Sequence, residues 1–299
     1  MTFFRVATLI FSRRMPAARR ALPLRLLDAL LYSSAWLAAA AAAQTATTLR
    51  QWPGLGGPAG PHVVVLVFAA TLLTYNLDAA LPFKHRQPPG TSGRKAWQQH
   101  HRPAMLVLAG AAALVDAYLL LTDGWLRFLP LLVPLTALAV GYSWPLLPWR
   151  GRWRAIREVP LLKVFLIAGV WTAVTGGLPA LALHQPLADV QGLLAQRFCL
   201  VTALAIVFDI RDYSRDQLAG LRTFPTQLGV GGSKVVALGF LAGAAALGLA
   251  RGAAPLAVLL PTALAAAVIL AAREARGDYF FALLTDGVLV VQAVAYFVL

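Results

Sequence analysis

Nine long apolar segments constrain the fold of this 299-residue chain more than any other feature of its sequence. A membrane-spanning helix needs about 17–25 predominantly apolar residues, and its backbone polar groups must bond to one another within lipid. The segments are too long and too uniformly apolar to be strands of an outer-membrane barrel. The sequence therefore predicts an all-α polytopic membrane helical bundle of about nine transmembrane helices, at 26–45, 62–82, 104–122, 125–146, 160–183, 190–209, 234–250, 254–272 and 279–299.

The charge of the chain supports this prediction through its distribution. The net charge of +14 is compatible with nucleic-acid binding, but only 13% of the residues are charged, about half of what a soluble domain carries. If the N-terminus is cytoplasmic and nine spans alternate, all but four of the 26 Lys and Arg residues lie on the cytoplasmic side; the four are Arg50, Arg127, Arg197 and Arg251. This is the positive-inside pattern. It predicts an integral protein of the inner (cytoplasmic) membrane with its C-terminus outside, in contact with membrane lipids and with no nucleic-acid partner.

The domain organisation follows from the same pattern. Residues 1–25 are predicted to form a basic cytoplasmic arm, and residues 26–299 a single transmembrane domain. Three long connections, 83–103, 147–159 and 210–233, fall on the predicted cytoplasmic side. Since binding residues concentrate on loops that a rigid scaffold positions, the functional site is expected on that side.

A cluster of carboxylates at the end of the sixth span is the strongest chemical signal. Asp209, Asp212 and Asp216 follow a long apolar segment, and at 100° per residue they share an arc of roughly 60° on a helix. Three such carboxylates repel one another unless a cation lies between them, and Mg²⁺ prefers oxygen ligands of this kind. The alternative is a solvated helix end with alternating charges. Arg211 and Arg215 are expected to point away from the aspartate face.

The residues that follow these aspartates carry a family resemblance. The three aspartates have the spacing Asp-x-x-Asp-x-x-x-Asp, and after them come Gly220, Thr223, Pro225 and the pair Leu228-Gly229. The whole stretch resembles the second aspartate-rich motif of the UbiA superfamily of membrane prenyltransferases. Tyr142 and the basic loop after it resemble the junction that follows the fourth helix of that family. The resemblance implies a nine-helix bundle that transfers an isoprenyl group from a polyprenyl diphosphate to a lipophilic or aromatic acceptor, with Mg²⁺ bound by Asp209, Asp212 and Asp216.

The first motif of the family, Asn-x-x-x-Asp-x-x-x-Asp, is incomplete in this chain. Asn76 matches, but Ala80 and Lys84 stand at the two aspartate positions. Asp78 lies about 200° from Asn76 around a helix and cannot replace either. Three interpretations remain open: Lys84 supplies positive charge in place of a metal, the protein binds its ligand without turnover, or Lys84 anchors the chain at the membrane surface.

The resemblance implies a set of substrate-binding residues around the diphosphate: Asn76, Lys84, Arg94, Lys163 and Tyr142. Arg94 belongs to a Ser-Gly-Arg sequence like that of the family. Lys163 lies just inside the fifth span, where a lone charge is expensive and indicates function. The competing function is that of a catalytically impaired relative that binds an isoprenoid lipid or quinone, and a small transporter is a third hypothesis.

Several other residues have both a functional and a structural interpretation. Asp116 and Asp286 lie inside spans, where ionisable groups are site candidates by default. His100 and His101 point apart on a helix and are expected to be interfacial rather than metal ligands. Aromatic residues of the spans either line an acceptor pocket or pack against other helices; they are Trp36, Phe165 and Trp171.

Overall fold

The structure of the protein is a computed structural model that describes residues 22–51, 59–80, 93–142, 145–149, 152–156 and 159–299. Its first half contains helices α1 (Leu22–Tyr32), α2 (Ala35–Arg50), α3 (Ala59–Ala80), α4 (Gly93–His100), α5 (Arg102–Thr122) and α6 (Leu129–Gly141), the last preceded by a 3₁₀ turn, Trp125–Phe128. An antiparallel hairpin of β1 (Pro145–Trp149) and β2 (Arg152–Ala155) follows. The second half contains α7 (Leu162–Thr172), α8 (Leu178–Ala182), α9 (Leu187–Arg211), α10 (Tyr213–Leu218), α11 (Phe224–Ala250), α12 (Pro255–Ala271) and α13 (Asp286–Val298).

Each predicted span falls on apolar helix, the first of them on two helices, α1 and α2, and the predicted all-α membrane bundle is confirmed. Six of the described helical segments are long and apolar enough to cross a membrane, and the pair α1–α2, bent by 59°, makes a seventh if it is one span. The predicted spans at 125–146 and 254–272 fall on shorter apolar helices, Trp125–Ala139 and Pro255–Ala271. Nine crossings, the cytoplasmic N-terminus and the boundary at residue 25 stay predictions, and residues 1–21 of the basic arm lie outside the described chain.

Two spans contain π-helical turns, at Ala173–Gly177 between α7 and α8 and at Phe280–Thr285 before α13. A π turn shifts the hydrogen-bond register and leaves a carbonyl free to accept other donors. The Thr175 carbonyl accepts from the hydroxyl of Thr48 at 2.8 Å and from Arg197 Nη1 at 2.6 Å. The irregular turn therefore lets three helices share polar contacts inside an apolar bundle.

Helix α9 is the centre of the bundle. In the most apolar stretch of α9, 72% is buried inside the protein, against 28–44% for the other helices that are long enough to cross a membrane. Ala203, Ile206, Val207 and Ile210 on α9 are completely buried, and the helix packs against α7 and α11. Because Asp209 lies in the last turn of this helix, its carboxylate is held inside the protein.

The start of α11 fixes the end of the aspartate loop. The Thr226 hydroxyl accepts a hydrogen bond from the backbone N–H of Thr223 at 2.8 Å and donates to the Leu221 carbonyl at 2.9 Å, in a capping-box arrangement. Gly220, with φ +65, makes the turn before it; a residue with a Cβ rarely adopts this conformation. These contacts hold the segment that follows Asp216.

We expect Thr226→Val to lower the free energy of unfolding by about 1 kcal/mol, because it removes the cap without changing side-chain volume. Thermal unfolding of the purified protein measures the loss. Thr262→Val is the matched control, since the Thr262 hydroxyl only donates to the Val258 carbonyl within α12. An equal shift in both variants would contradict a special role for the cap.

Candidate functional site

A half-buried lysine lies between two of the three aspartates. Lys163, in the first turn of α7, places its Nζ 2.7 Å from Asp209 Oδ1 and 3.8 Å from Asp216 Oδ2. Asp209 is only 1% exposed and Asp216 is also buried. The cation that these carboxylates need is therefore supplied by the chain itself. The prediction that Lys163 belongs to the same site as the aspartates fits this geometry.

Asp212 binds a different cation. Helix α9 ends at Arg211, and Asp212 stands at the junction with α10. Arg211 donates from Nε to Asp212 Oδ1 at 3.2 Å and from Nη2 to Oδ2 at 3.1 Å. The expectation that Arg211 points away from the aspartates was wrong, because the helix ends before Asp212 and the two side chains turn toward each other. Burial acts to raise the pKa of Asp212, but the Arg211 guanidinium outweighs it and holds this pKa below its usual range.

The arrangement does not assemble the predicted metal group. Within the described part of the chain, no three His, Cys, Asp or Glu side chains are placed to hold a metal ion together. Asp209 and Asp216 face Lys163, and Asp212 faces Arg211. The aspartates thus do not fit a Mg²⁺ ion bound by all three in this arrangement, and the Mg²⁺ site stays a prediction.

A second group of charges adjoins the first through Arg211. The backbone N–H of Arg94 donates to Asp278 Oδ2 at 3.1 Å, and Arg94 Nη2 lies 3.4 Å from the Ser34 hydroxyl. Arg94 and Arg211 both interact electrostatically with the buried Asp286. Burial, and then the like charge of Arg211, lower the pKa of Arg94. The structure thus brings Arg94, from the α4 segment, to the same cluster as the aspartate loop.

Asp286 is the site residue that the motifs do not reveal. It begins α13 directly after a π turn, far in sequence from both motifs. The signal that could find it is its position as an ionisable residue inside an apolar span. Tyr75 interacts electrostatically with Asp286 and Arg94, and its hydroxyl accepts a hydrogen bond from Trp171 Nε1 at 3.3 Å.

Two other predicted substrate-binding residues have contacts that the structure defines. Asn76 is completely buried, and its Nδ2 donates to the carbonyls of Ser33 at 2.9 Å and Leu72 at 2.8 Å. It therefore ties α3 to the break between α1 and α2. Tyr142, at the end of α6, interacts electrostatically with Lys163. Lys84 lies outside the described residues.

The remaining candidates have structural contacts. His101 stacks on Trp97 with ring centroids 4.2 Å apart and bonds the carbonyl of the same residue at 2.9 Å. Phe165 packs against the rings of Phe198, Phe224 and Phe240. Asp116 is buried on α5, where its Oδ1 has no hydrogen-bond partner among the described residues.

Comparison with known proteins identifies the architecture. No family model matches the chain, and no curated protein matches it. Among solved structures, the chain is similar to the apo structure of a UbiA homolog from Aeropyrum pernix K1, with a TM-score of 0.52 and 20% sequence identity. The similarity covers 90% of this chain and 96% of that chain. The chain therefore has the fold of a UbiA homolog over almost its whole length.

Proposed function

We propose that the chain is a UbiA-like membrane prenyltransferase that moves an isoprenyl group from a polyprenyl diphosphate to a lipophilic or aromatic acceptor. The observation that carries the proposal is the convergence of Lys163, Arg94 and Arg211 with buried carboxylates at one end of an apolar bundle. Arg211 interacts with both Asp212 and Asp286, and Lys163 interacts with Asp212 as well as with Asp209. The charges therefore form one connected cluster, and its setting suits a substrate with a polar head and an apolar tail.

The proposed reaction begins with cleavage of the allylic C–O bond. The electron pair of that bond goes to the diphosphate oxygen, where negative charge develops. Lysine and arginine N–H groups placed around this oxygen stabilise the charge without reorganising. The acceptor supplies the electron pair of the new bond to the allylic carbon and then releases a proton. The rings of Tyr75 and Trp171 lie beside the cluster, and aromatic faces attract a cationic carbon centre.

Mg²⁺ dependence is a separate prediction within this proposal. Asp209, Asp212 and Asp216 carry the oxygen donors that Mg²⁺ prefers, but each faces a cationic side chain. A bound Mg²⁺ would neutralise the leaving diphosphate. Turnover that survives EDTA would assign this neutralisation to the lysine and arginines alone, whereas loss with EDTA and recovery with Mg²⁺ would show that the aspartates exchange their partners for the ion.

The proposal is tested with the purified full-length protein, a labelled polyprenyl diphosphate and a panel of aromatic and lipophilic acceptors. We expect prenylated product together with released diphosphate. Arg94→Gln should raise the concentration of diphosphate substrate needed for half-maximal rate about tenfold to a hundredfold, because it removes a charged hydrogen-bond donor. The fold of α4 should survive, since the bond from Arg94 to Asp278 comes from the backbone N–H.

Lys95→Gln is the control for Arg94→Gln, because it removes the same charge from the next position of α4, about 100° around the helix. An equal loss of affinity in both variants would indicate a general effect of charge and would contradict a specific role for Arg94. Absence of product with every acceptor, combined with intact folding, would contradict the proposed reaction.

A second candidate is a relative that binds an isoprenoid lipid or quinone without turnover. Two observations favour it: Ala80 and Lys84 replace the first-motif aspartates, and the second-motif aspartates are paired within the protein. The same assay separates the two functions. Saturable binding of the labelled diphosphate without its release would support this candidate over the enzyme.

A further inference from the structure

A second polar cluster lies deep in the bundle, far from the aspartates. Arg197 on α9 is only 4% exposed. It precedes Asp209 by twelve residues of the same helix, which places the two about 18 Å apart along the axis. Arg197 Nη1 donates to the Thr48 hydroxyl at 2.7 Å and to the Thr175 carbonyl at 2.6 Å. These are uncharged acceptors from α2 and from the π turn.

Among the residues that the structure describes, no acidic side chain pairs with this guanidinium. Every Asp and Glu of the chain except Glu158 lies in the described residues, and none of these forms an ion pair with Arg197 or Arg251. Among the described residues, Arg197 interacts electrostatically with Arg251 and Tyr296. A buried charge without an opposite charge is costly.

Arg251 brings a second positive charge to the same place. Its Nη1 donates to Gln196 Oε1 at 2.8 Å, and its Nη2 donates to Gln51. Gln196 Nε2 donates in turn to the Tyr296 hydroxyl at 3.0 Å. Gly192 leaves the room for this side chain, because a Cβ there would lie 3.0 Å from Arg251 Cδ. The cluster is thus built around two arginines whose charges repel each other.

The N–H groups of Arg197 that make no hydrogen bond to described residues suit an anion. The hydrogen bonds of Arg197 to described residues all start from Nη1, so Nε and Nη2 have no such partner there. Guanidinium groups bind phosphate oxygens through parallel N–H bonds and are weakly hydrated, which suits them to buried ion pairs. Arg251 stands at the connection between α11 and α12, where a transmembrane helix ends and lipid headgroups begin.

We propose that Arg197 and Arg251 form a binding site for a phosphate group in the half of the bundle that lies away from Lys163 and Asp209. The phosphate comes either from the headgroup of an anionic lipid or from a free phosphate anion. The site does not depend on the proposed prenyl transfer, because it shares no residue with that cluster and requires no turnover. If the phosphate site is disproved, the prenyltransferase proposal still stands, and if prenyl transfer is disproved, the phosphate site still stands.

The experiment uses the full-length protein in a neutral detergent. Native mass spectrometry counts bound phosphatidylglycerol, with phosphatidylcholine as the control lipid, and inorganic phosphate is added as a competitor. We expect a saturable phosphatidylglycerol site in the wild type that Arg251→Gln weakens about tenfold or more, as the loss of a charged hydrogen-bond pair predicts. Gly192→Ala should weaken binding by a smaller factor, because it displaces the Arg251 side chain without removing its charge.

Arg127→Gln is the matched control, since Arg127 is an exposed arginine in the turn after α5. It should bind phosphatidylglycerol as the wild type does, and thermal unfolding without lipid should show that all variants are folded. Displacement by inorganic phosphate would identify a site open to free anions, and its absence a site for the lipid headgroup. Wild-type affinity in Arg251→Gln, or no saturable binding of either probe by the wild type, would overturn the proposal.

Discussion

Lys163→Gln is expected to destabilise the protein by about 3–5 kcal/mol, the cost of removing one partner from a buried ion pair. Lys163 Nζ is 2.7 Å from Asp209 Oδ1, and Asp209 is 1% exposed. Without the ammonium, the Asp209 carboxylate keeps its charge in an apolar interior or must take up a proton. Asp216, 3.8 Å from the same nitrogen, loses this contact as well.

Unfolding in detergent, followed by heat or denaturant, measures this loss. Arg273→Gln is the control, because Arg273 is an exposed cation between α12 and α13. The double variant Lys163→Gln with Asp209→Asn should recover a large part of the stability, since it removes the buried charge that Lys163→Gln leaves on Asp209. A destabilisation in Lys163→Gln no larger than that in Arg273→Gln, or no recovery in the double variant, would contradict a strong ion pair at this position.

Asp212→Asn is expected to reduce prenyl transfer about 10²–10³-fold, the range seen when one preorganised electrostatic contact to a reacting group is removed. The carboxylate holds Arg211 through two hydrogen bonds, at 3.2 and 3.1 Å. Asparagine keeps the size of the side chain but presents only one acceptor atom and no charge. Arg211 then loses the contact that holds it in the proposed diphosphate site.

The rate of product formation at saturating diphosphate substrate measures the effect. Asp189→Asn is the matched control, because Asp189 is an exposed carboxylate in the first turn of the same helix. If Asp212→Asn keeps full activity while the protein turns over substrate, the assignment of Asp212 to the reaction is wrong. If both variants lose activity together, the cause is a general change in charge.

The sequence predicts the helices better than it predicts their irregularities. Apolar length is a local property, so all nine predicted spans coincide with helices. The break between α1 and α2, where Ser34 has φ +63, has no comparable signal, because no proline or glycine stands there. The π turn at Ala173–Gly177 likewise depends on side chains from other helices that bind its backbone.

The candidate site divides in the same way. Asp209, Asp212, Asp216 and Lys163 are recognisable from the sequence because charges at the edge of an apolar segment are rare and expensive. Their partners are not recognisable, and the regular helix assumed for the three aspartates ends at Arg211. Because the regular helix ends there, successive residues no longer rotate by 100° around one axis, and the Asp212 side chain points toward Arg211.

By itself, the sequence determined that this chain lies in a membrane as a helical bundle, because burying apolar side chains and satisfying backbone hydrogen bonds are requirements of each segment alone. Only the tertiary structure decided which charges neutralise each other. Lys163 and Asp209 stand on different helices, and Arg94 meets Asp278 and Asp286 from the far end of the chain. Such pairs depend on the way the helices pack, which no single segment encodes.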